Sequence, residues 1–237
     1  MKSQLAVVLS LVFALGASAA TMTIEVEGVR ISVPIPKEYG SPAVIMPQAL
    51  TLGESMTPLV NRLQLVLMSA ADLKRARAGK DAQWDRYLMV QTNRKAEAMT
   101  FTESDFAKIR KGFVEGQATL VEQNKDAIQR QLAGAAPTIS AATGSPVFSM
   151  KLGETLPLGV FANSNPNSIA FGSIVKYSMQ SGGRTIESPV VVAIAIAAVR
   201  QKLMFFYVYS TYRTKADVDD VKQTTTAWLA DIATANK

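Results

Sequence analysis

The stretch from Pro189 to Tyr212 constrains the fold most, because it is apolar along most of its length. Arg200, Gln201 and Lys202 lie at its centre, and cations there exclude a helix spanning a membrane, since each would cost several kcal/mol in hydrocarbon. Before them, bulky Val and Ile alternate with mostly Ala (VVVAIAIAA), which is the period of a β-strand. The stretch therefore predicts two strands joined at Arg200-Gln201.

Both strands of this predicted hairpin are apolar on both faces, as the returning run LMFFYVY shows. Strands of this kind lie at the centre of a sheet that is covered on both sides. One helix is predicted to start at Thr102 and to stop at Gly134 and Pro137, and another starts at Thr214, each start having capping-box spacing. The sequence predicts a single α+β domain, in which an antiparallel sheet is sandwiched between helices.

The first residues, MKSQLAVVLSLVFALGASAA, have a basic start, an apolar run and small residues at the end. This pattern is typical of a secretory signal peptide. We expect residues 1–20 to be a cleaved signal peptide and residues 21–237 to form the exported domain. Because no Cys is present to carry a lipid anchor, the prediction is a soluble periplasmic or secreted protein.

The chain contains neither Cys nor His, which removes several classes of site. Ser-His-Asp and Cys-His nucleophilic sites are excluded, and so are the common zinc and haem sites. Asp217, Asp219 and Asp220 permit a metal interpretation, but no EF-hand pattern is present, and charge at a helix N-terminus accounts for all three. No catalytic residue, cofactor or metal ligand is predicted.

The formal net charge is +6, and the basic residues are spread along the chain. No Lys/Arg-rich block of the kind that binds nucleic acid occurs, so a nucleic-acid partner is not expected. A short helix predicted after Ser69 is rich in cations, which are Lys74, Arg75, Arg77 and Lys80. They form either a patch for an anionic partner or a solvated helix face near the favourable end of the helix dipole.

Two further regions are candidate pocket walls. Residues 37–58 are rich in turn-forming residues and are interpreted as a long irregular loop, which is either a ligand-binding lip or a surface connection. Tyr207, Tyr209 and Tyr212, near Arg213, either line a pocket at the strand end or are amphipathic core residues.

The chain resembles the PsbP-like fold in its opening TIEVEGVRISVPIP, from Thr102 to Phe106, and from Lys202 to Ile232. The opening matches the group's first strand pair, and the segment from Thr102 to Phe106 matches a helix start later in the chain. The last part matches the group's final strand, helix cap and tryptophan-bearing helix. The likeness covers most of the chain after residue 20. The group includes extracytoplasmic bacterial proteins that are mostly uncharacterised, and the likeness implies an antiparallel sheet sandwiched between helices and a role in binding or assembly. It brings no functional residue.

The sequence as a whole favours a non-enzymatic binding or envelope-assembly accessory protein, whose partner is another protein or an anionic envelope surface. The alternative is a small-molecule-binding protein with a pocket near residues 37–58. An enzyme that uses only carboxylates, Lys or Tyr ranks third. No transmembrane helix is predicted in the mature chain, and the oligomeric state stays open.

Overall fold

The computed structural model describes residues 20–116, 119–143, 149–162, 164–181 and 184–237. Most of the predicted signal peptide, residues 1–19, lies outside the described residues. The strands are β1 (Thr21–Val26), β2 (Val29–Pro34), β3 (Tyr39–Gly40), β4 (Asn61–Ser69), β5 (Arg86–Asn93), β6 (Ser149–Phe161), β7 (Ser168–Ser181), β8 (Arg184–Val199) and β9 (Lys202–Thr211). The helices are α1 (Gln48–Ser55), α2 (Ala70–Arg77), α3 (Glu103–Gly116), α4 (Leu120–Thr143) and α5 (Lys215–Ala235).

Seven strands form one sheet in the order β3-β4-β5-β9-β8-β7-β6, and β1 and β2 form a separate hairpin. Every neighbouring pair in the large sheet is antiparallel. Helix α5 and the β1–β2 hairpin pack on one face, and α1 to α4 pack on the other. The predicted α+β fold, an antiparallel sheet between helices, is confirmed. No described helix is long and apolar enough to cross a membrane.

The predicted central hairpin is β8 and β9, which turn at Arg200-Gln201. Both turn residues have positive φ, 48° and 63°. Two successive residues of positive φ make a turn whose twist matches that of the flanking strands, although Asn or Gly adopts this conformation more easily. The apolar hairpin therefore fixes its own register even with a turn of low intrinsic preference.

The alanine side of β8 faces α5. Ala193, Ala195 and Ala197 belong to the same buried cluster as Trp228, which is only 1% exposed. The indole nitrogen of Trp228 donates a hydrogen bond to the carbonyl oxygen of Pro34 at 2.8 Å. The small residues leave depth for the large ring, and that ring also ties β2 to α5.

Residues 37–58 are not the irregular loop that the sequence predicts. They contain β3 and the helix α1, which buries Ala49, Leu52 and Gly53. Thr, Gly and Ser lower the helix propensity of this segment, so tertiary packing decides its structure. A Cβ on Gly53 would lie 2.7 Å from a methyl group of Val66, so glycine is what lets α1 approach β4 closely.

The predicted helix after Thr102 is two helices, and the second continues past its predicted stop. The predicted start at Thr102, which begins α3, is confirmed, because Thr102 and Asp105 exchange capping hydrogen bonds. Pro137 lies inside α4, where proline removes a backbone hydrogen bond. Leu132 and Ile139 on either side of it are buried, and this burial offsets the loss.

Candidate functional site

Helix α2 carries the cations that the sequence singles out. The side chain of Ser69 caps the helix by accepting from the backbone nitrogen of Asp72 at 3.1 Å. The buried carboxylate of Asp72 accepts from the Ser69 hydroxyl at 2.9 Å and from the backbone nitrogen of Gln83 at 2.7 Å. These bonds fix both the start of α2 and the segment that follows it.

The four cations of this region divide into two kinds. The Nε of Arg75 donates to the carbonyl oxygen of Asp81 at 2.8 Å, and Arg75 is half-buried. Lys74, Arg77 and Lys80 are exposed, and none pairs with an acidic residue in the part of the chain that the structure describes. We call these three residues the cationic patch.

A second group consists of four tyrosines on the face of the sheet opposite α5. Tyr87 and Tyr209 are paired across β5 and β9, and their rings stack at 4.5 Å and 15°. Tyr207 follows on the same face of β9, nearly parallel to Tyr209 at 8° with centroids 6.1 Å apart. Tyr177 of β7 is the fourth member, and we call the four the tyrosine cluster. Tyr212, which the sequence grouped with two of them, packs in the core on the other face.

Helices α1 and α4 stand beside the tyrosine cluster. Tyr87, Tyr207 and Tyr209 pack against the hydrophobic cluster that contains Ala49 of α1. Tyr177 packs against a second cluster, in which Leu132 of α4 is buried. Trp84 packs against both clusters, so the tyrosines lie where the two meet.

Trp84 has an unusual backbone for its size. Its φ is 56°, in the left-handed region that disfavours bulky residues. Its ring meets that of Tyr87 edge to face, with centroids 6.0 Å apart and an interplanar angle of 80°. Residues in such conformations persist where the surroundings hold them, and they concentrate at functional sites.

The hydroxyl groups of the tyrosine cluster make no hydrogen bond to any other residue that the structure describes. Burial raises the pKa of Tyr177 and of Tyr207 to about 12. Burial also raises the pKa of Tyr87 and Tyr209 above the ordinary range, and neighbouring tyrosines add to it. Each tyrosine nevertheless keeps part of its surface exposed.

A third region, a cleft of about 470 Å³, lies at the end of the sheet where β8 turns into β9. Two of its side chains, those of Arg200 and Asn236, bond to the β1–β2 hairpin. Arg200 donates to the carbonyl oxygen of Arg30 at 3.3 Å. The Asn236 side chain accepts from the backbone nitrogen of Ser32 at 2.9 Å and donates to its carbonyl oxygen at 2.7 Å.

Near this end of the sheet is a buried polar network that sequence reasoning missed. Glu97 accepts from the Thr92 hydroxyl at 2.5 Å and from the Nε of Arg62 at 3.0 Å. The ammonium group of Lys202, a residue 6% exposed, donates to the carbonyl oxygens of Glu97 at 2.7 Å and Met99 at 3.2 Å. The inward position of Lys202 in the alternation of β9 is the signal that identifies it.

The acidic residues at the start of α5 have structural partners. The carboxylate of Asp217 accepts from the backbone nitrogens of Arg213 at 2.8 Å and Thr214 at 2.7 Å, as the capping interpretation predicts. Asp220 pairs with Arg86 at 2.8 Å. Within the described ranges, acidic residues form no group of three that is able to hold a metal ion.

Comparisons with known proteins give one remote likeness. No protein-family model matches the chain, and no curated protein matches it. It is similar to the Ran-binding protein Mog1p of Saccharomyces cerevisiae, at 7% identity over 92% of this chain and 95% of that one, with a TM-score of 0.39. It is also similar to a mutant of Mog1, at 6% identity over 92% and 93% of the two chains, with a TM-score of 0.35. At these TM-scores the likeness carries no argument about function.

Proposed function

We propose that this chain is an exported, non-enzymatic binding or envelope-assembly accessory protein of the PsbP-like group. Its partner is a protein or an envelope surface that carries anionic groups. The observation that supports this most is the cationic patch, in which Lys74, Arg77 and Lys80 are exposed without an acidic partner among the described residues.

The charge of the chain supports the same function. The formal net charge is +6 for the full chain and +5 without Lys2 of the predicted signal peptide, and either excess favours association with anionic surfaces. The patch adds a local site to that general attraction, because three cations within one short segment act on the same partner. Arg75 does not belong to the contact surface, since its guanidinium holds the carbonyl oxygen of Asp81.

Neutralising the patch tests this function. The triple variant Lys74→Gln, Arg77→Gln, Lys80→Gln is compared with a control that removes the same charge from three exposed lysines elsewhere. The control changes Lys37→Gln, Lys95→Gln and Lys215→Gln. Binding is measured to phosphatidylglycerol-containing vesicles, to neutral phosphatidylcholine vesicles and to proteins extracted from the envelope.

We expect the patch variant, and not the control, to lose binding to the anionic vesicles or to the envelope proteins. Loss of binding to the anionic vesicles would identify an envelope surface as the partner, and loss of binding to the envelope proteins would identify a protein. Equal loss in both variants means that net charge alone acts, and no loss in either means that the patch has no role. Both results contradict the proposal.

Export is tested separately by N-terminal sequencing of the protein from the periplasmic fraction or the medium. The small residues that end the apolar run predict a first residue of Ala20 or Thr21. An intact Met1 in the membrane pellet contradicts export as a soluble protein.

A further inference from the structure

We infer that the turn before β4 is a membrane contact, at which Leu59 and Val60 insert into a lipid bilayer that carries anionic headgroups. We call these two residues the apolar tip. The inference does not rest on the cationic patch, because α2 follows the last residue of β4 and the apolar tip precedes the first. It rests on the exposure of the tip, on the buried polar residues that hold it and on the cations beside it.

The apolar tip occupies the centre of a tight turn. The backbone nitrogen of Asn61 donates to the carbonyl oxygen of Pro58 at 2.7 Å, and this bond closes the turn around the two residues. The central positions of a turn are usually taken by small or polar residues such as Gly, Asn, Asp and Ser. Here Leu59 is 95% exposed and Val60 is 55% exposed. Two adjacent aliphatic side chains therefore project from the surface.

The polar residues on either side of the tip are buried, which inverts the usual arrangement. Thr57 and Asn61 are each 8% exposed. The Thr57 hydroxyl donates to the carbonyl oxygen of Gly53 in α1 at 2.8 Å. The side-chain amide of Asn61 donates to the side chain of Gln91 in β5 at 3.0 Å. These bonds fix both ends of the turn, so the fold itself holds the apolar tip in an outward position.

Cations lie beside the apolar tip. The backbone nitrogen of Arg94 donates to the carbonyl oxygen of Val60 at 2.9 Å, and its Nε donates to that of Asn61 at 2.9 Å. Arg94 is exposed, so its guanidinium lies next to the tip at the surface. The side chain of Arg62 is 51% exposed, whereas that of its acidic partner Glu97 is 6% exposed. The basic groups are exposed and the carboxylate is buried, which is complementary to an anionic lipid surface.

The size and shape of this surface favour a bilayer over a protein. A specific protein interface buries about 800 Å² on each partner, and two side chains on one turn provide only part of that area. A bilayer surface needs no matching recess, and it binds apolar side chains beside Lys or Arg through buried apolar area and attraction to anionic lipids. Met99, which is 53% exposed, adds apolar surface at the same end of the sheet, where its carbonyl oxygen accepts from Lys202.

Site-specific fluorescence tests the inference, because the chain contains no Cys of its own. Leu59→Cys is labelled with the environment-sensitive fluorophore NBD. Val44→Cys, labelled in the same way, is the matched control, since Val44 is 94% exposed and lies in the segment before α1. The vesicles contain phosphatidylcholine alone or in equal parts with phosphatidylglycerol, and a doxyl-labelled lipid serves as the quencher. Circular dichroism checks that each variant is folded.

On the anionic vesicles, we expect the emission of the label in Leu59→Cys to move to shorter wavelength and to be quenched by the doxyl lipid. Neutral vesicles should have a much weaker effect, and the label in Val44→Cys should not respond. Without labels, the double variant Leu59→Gln, Val60→Thr should bind anionic vesicles about tenfold more weakly, because the burial of aliphatic surface is lost. Arg94→Gln should weaken this binding about fivefold, and Val44→Thr should leave it unchanged.

The inference is overturned if the label in Leu59→Cys does not respond, responds equally to both lipid compositions or responds no more than the label in Val44→Cys. Unchanged vesicle binding by the double variant also overturns it. A response to lipid-free envelope proteins without a response to vesicles would identify a protein partner instead.

The result is kept separate from the proposed function by a second background. The label in Leu59→Cys should respond in the same way when Lys74, Arg77 and Lys80 are changed to Gln. Loss of the response in this background would mean that α2 and not the apolar tip holds the membrane, which overturns the inference. If the cationic patch proves to have no role, the response of the label remains as expected, so the two failures are distinguishable.

Discussion

Two groups of polar side chains are enclosed by the layers of this protein, and they differ in whether their polar atoms find partners. The polar network joins β4, β5, the segment after β5 and the start of β9 through Arg62, Thr92, Glu97 and Lys202. The tyrosine cluster lies on the opposite face of the sheet, and none of its four hydroxyls bonds to a described residue. Both groups lie on the same sheet, so the difference in their hydrogen bonding comes from the side chains and not from the secondary structure.

The comparison separates polar groups that hold segments of the fold together from polar groups that do not. A satisfied network fixes a segment in place, and here it holds residues 94–101 against the sheet through Glu97 and Lys202. The hydroxyls of the tyrosine cluster make no such bond to a described residue, so their removal should cost the fold little. Each prediction below removes or titrates a group in one region and compares it with the other.

The largest expected effect is the loss of stability in alkali. The unfolded chain ionises its tyrosines near their ordinary pKa of about 10, whereas Tyr177 and Tyr207 ionise at about 12 when folded. The folded state therefore binds more protons in this window, and stability that is complete below pH 10 is lost as the pH rises to 12. The two residues together account for about 5 kcal/mol.

Urea unfolding between pH 8 and 11.5 measures this loss. The slope of the unfolding free energy against pH should become steeper above pH 10 and should be less steep in Tyr207→Phe. A stability that does not change up to pH 11.5 would show that the phenols ionise normally in the folded protein, which contradicts their burial.

Glu97→Ala should cost about 2 kcal/mol, because it removes the acceptor of two hydrogen bonds. This cost is smaller than for a fully buried ion pair, because the Arg62 side chain is 51% exposed and water screens its charge. Chemical denaturation measures the cost. Glu54→Ala, an exposed change on α1, is the control and should stay within about 0.5 kcal/mol. Equal effects would mean that the network does not stabilise the fold.

Removal of one hydroxyl should have opposite consequences in the two regions. Thr92→Val should cost about 1 kcal/mol, because that hydroxyl donates to Glu97 at 2.5 Å and accepts from Gln64 at 2.8 Å. Tyr207→Phe should cost nothing, or stabilise the protein slightly, since no protein partner is lost. Urea unfolding of both variants in the same buffer measures the two costs. A similar loss of unfolding free energy in both variants contradicts the expected difference.

The smallest effect is expected at α2. The triple change of Lys74, Arg77 and Lys80 to Gln should shift the unfolding free energy by less than about 0.5 kcal/mol, because exposed charges contribute little. Adding Arg75→Gln should lower stability further, by about 1 kcal/mol, since its bond to Asp81 is lost. Thermal unfolding of the triple and quadruple variants measures the difference. Indistinguishable curves would show that the bond from Arg75 to Asp81 does not stabilise the fold.

Local signals in the sequence predict the elements that depend on nearby residues. The central hairpin follows from a strict alternation over many residues, and the starts at Thr102 and Thr214 follow from capping residues three positions apart. Helix α1 and the continuation of α4 past Pro137 could not be predicted in this way. Both depend on burial against distant residues, which overrides a low local propensity.

The candidate site is predictable only in part. Tyr207 and Tyr209 are two residues apart in a strand, so their common face follows from the sequence. Tyr87 and Tyr177 join them through strand order and register, which no local pattern reports. Tyr212 shows the limit of proximity along the chain, because it lies just beyond β9 and packs on the opposite face.

The central claim is that the polar network stabilises the fold and the tyrosine hydroxyls do not. Urea unfolding of the double variant Tyr87→Phe, Tyr209→Phe beside that of Thr92→Val tests it most directly. The double variant should unfold at a urea concentration equal to or above that of the unchanged protein, whereas Thr92→Val should unfold at a lower one. A double variant that is destabilised by more than about 1 kcal/mol contradicts the claim.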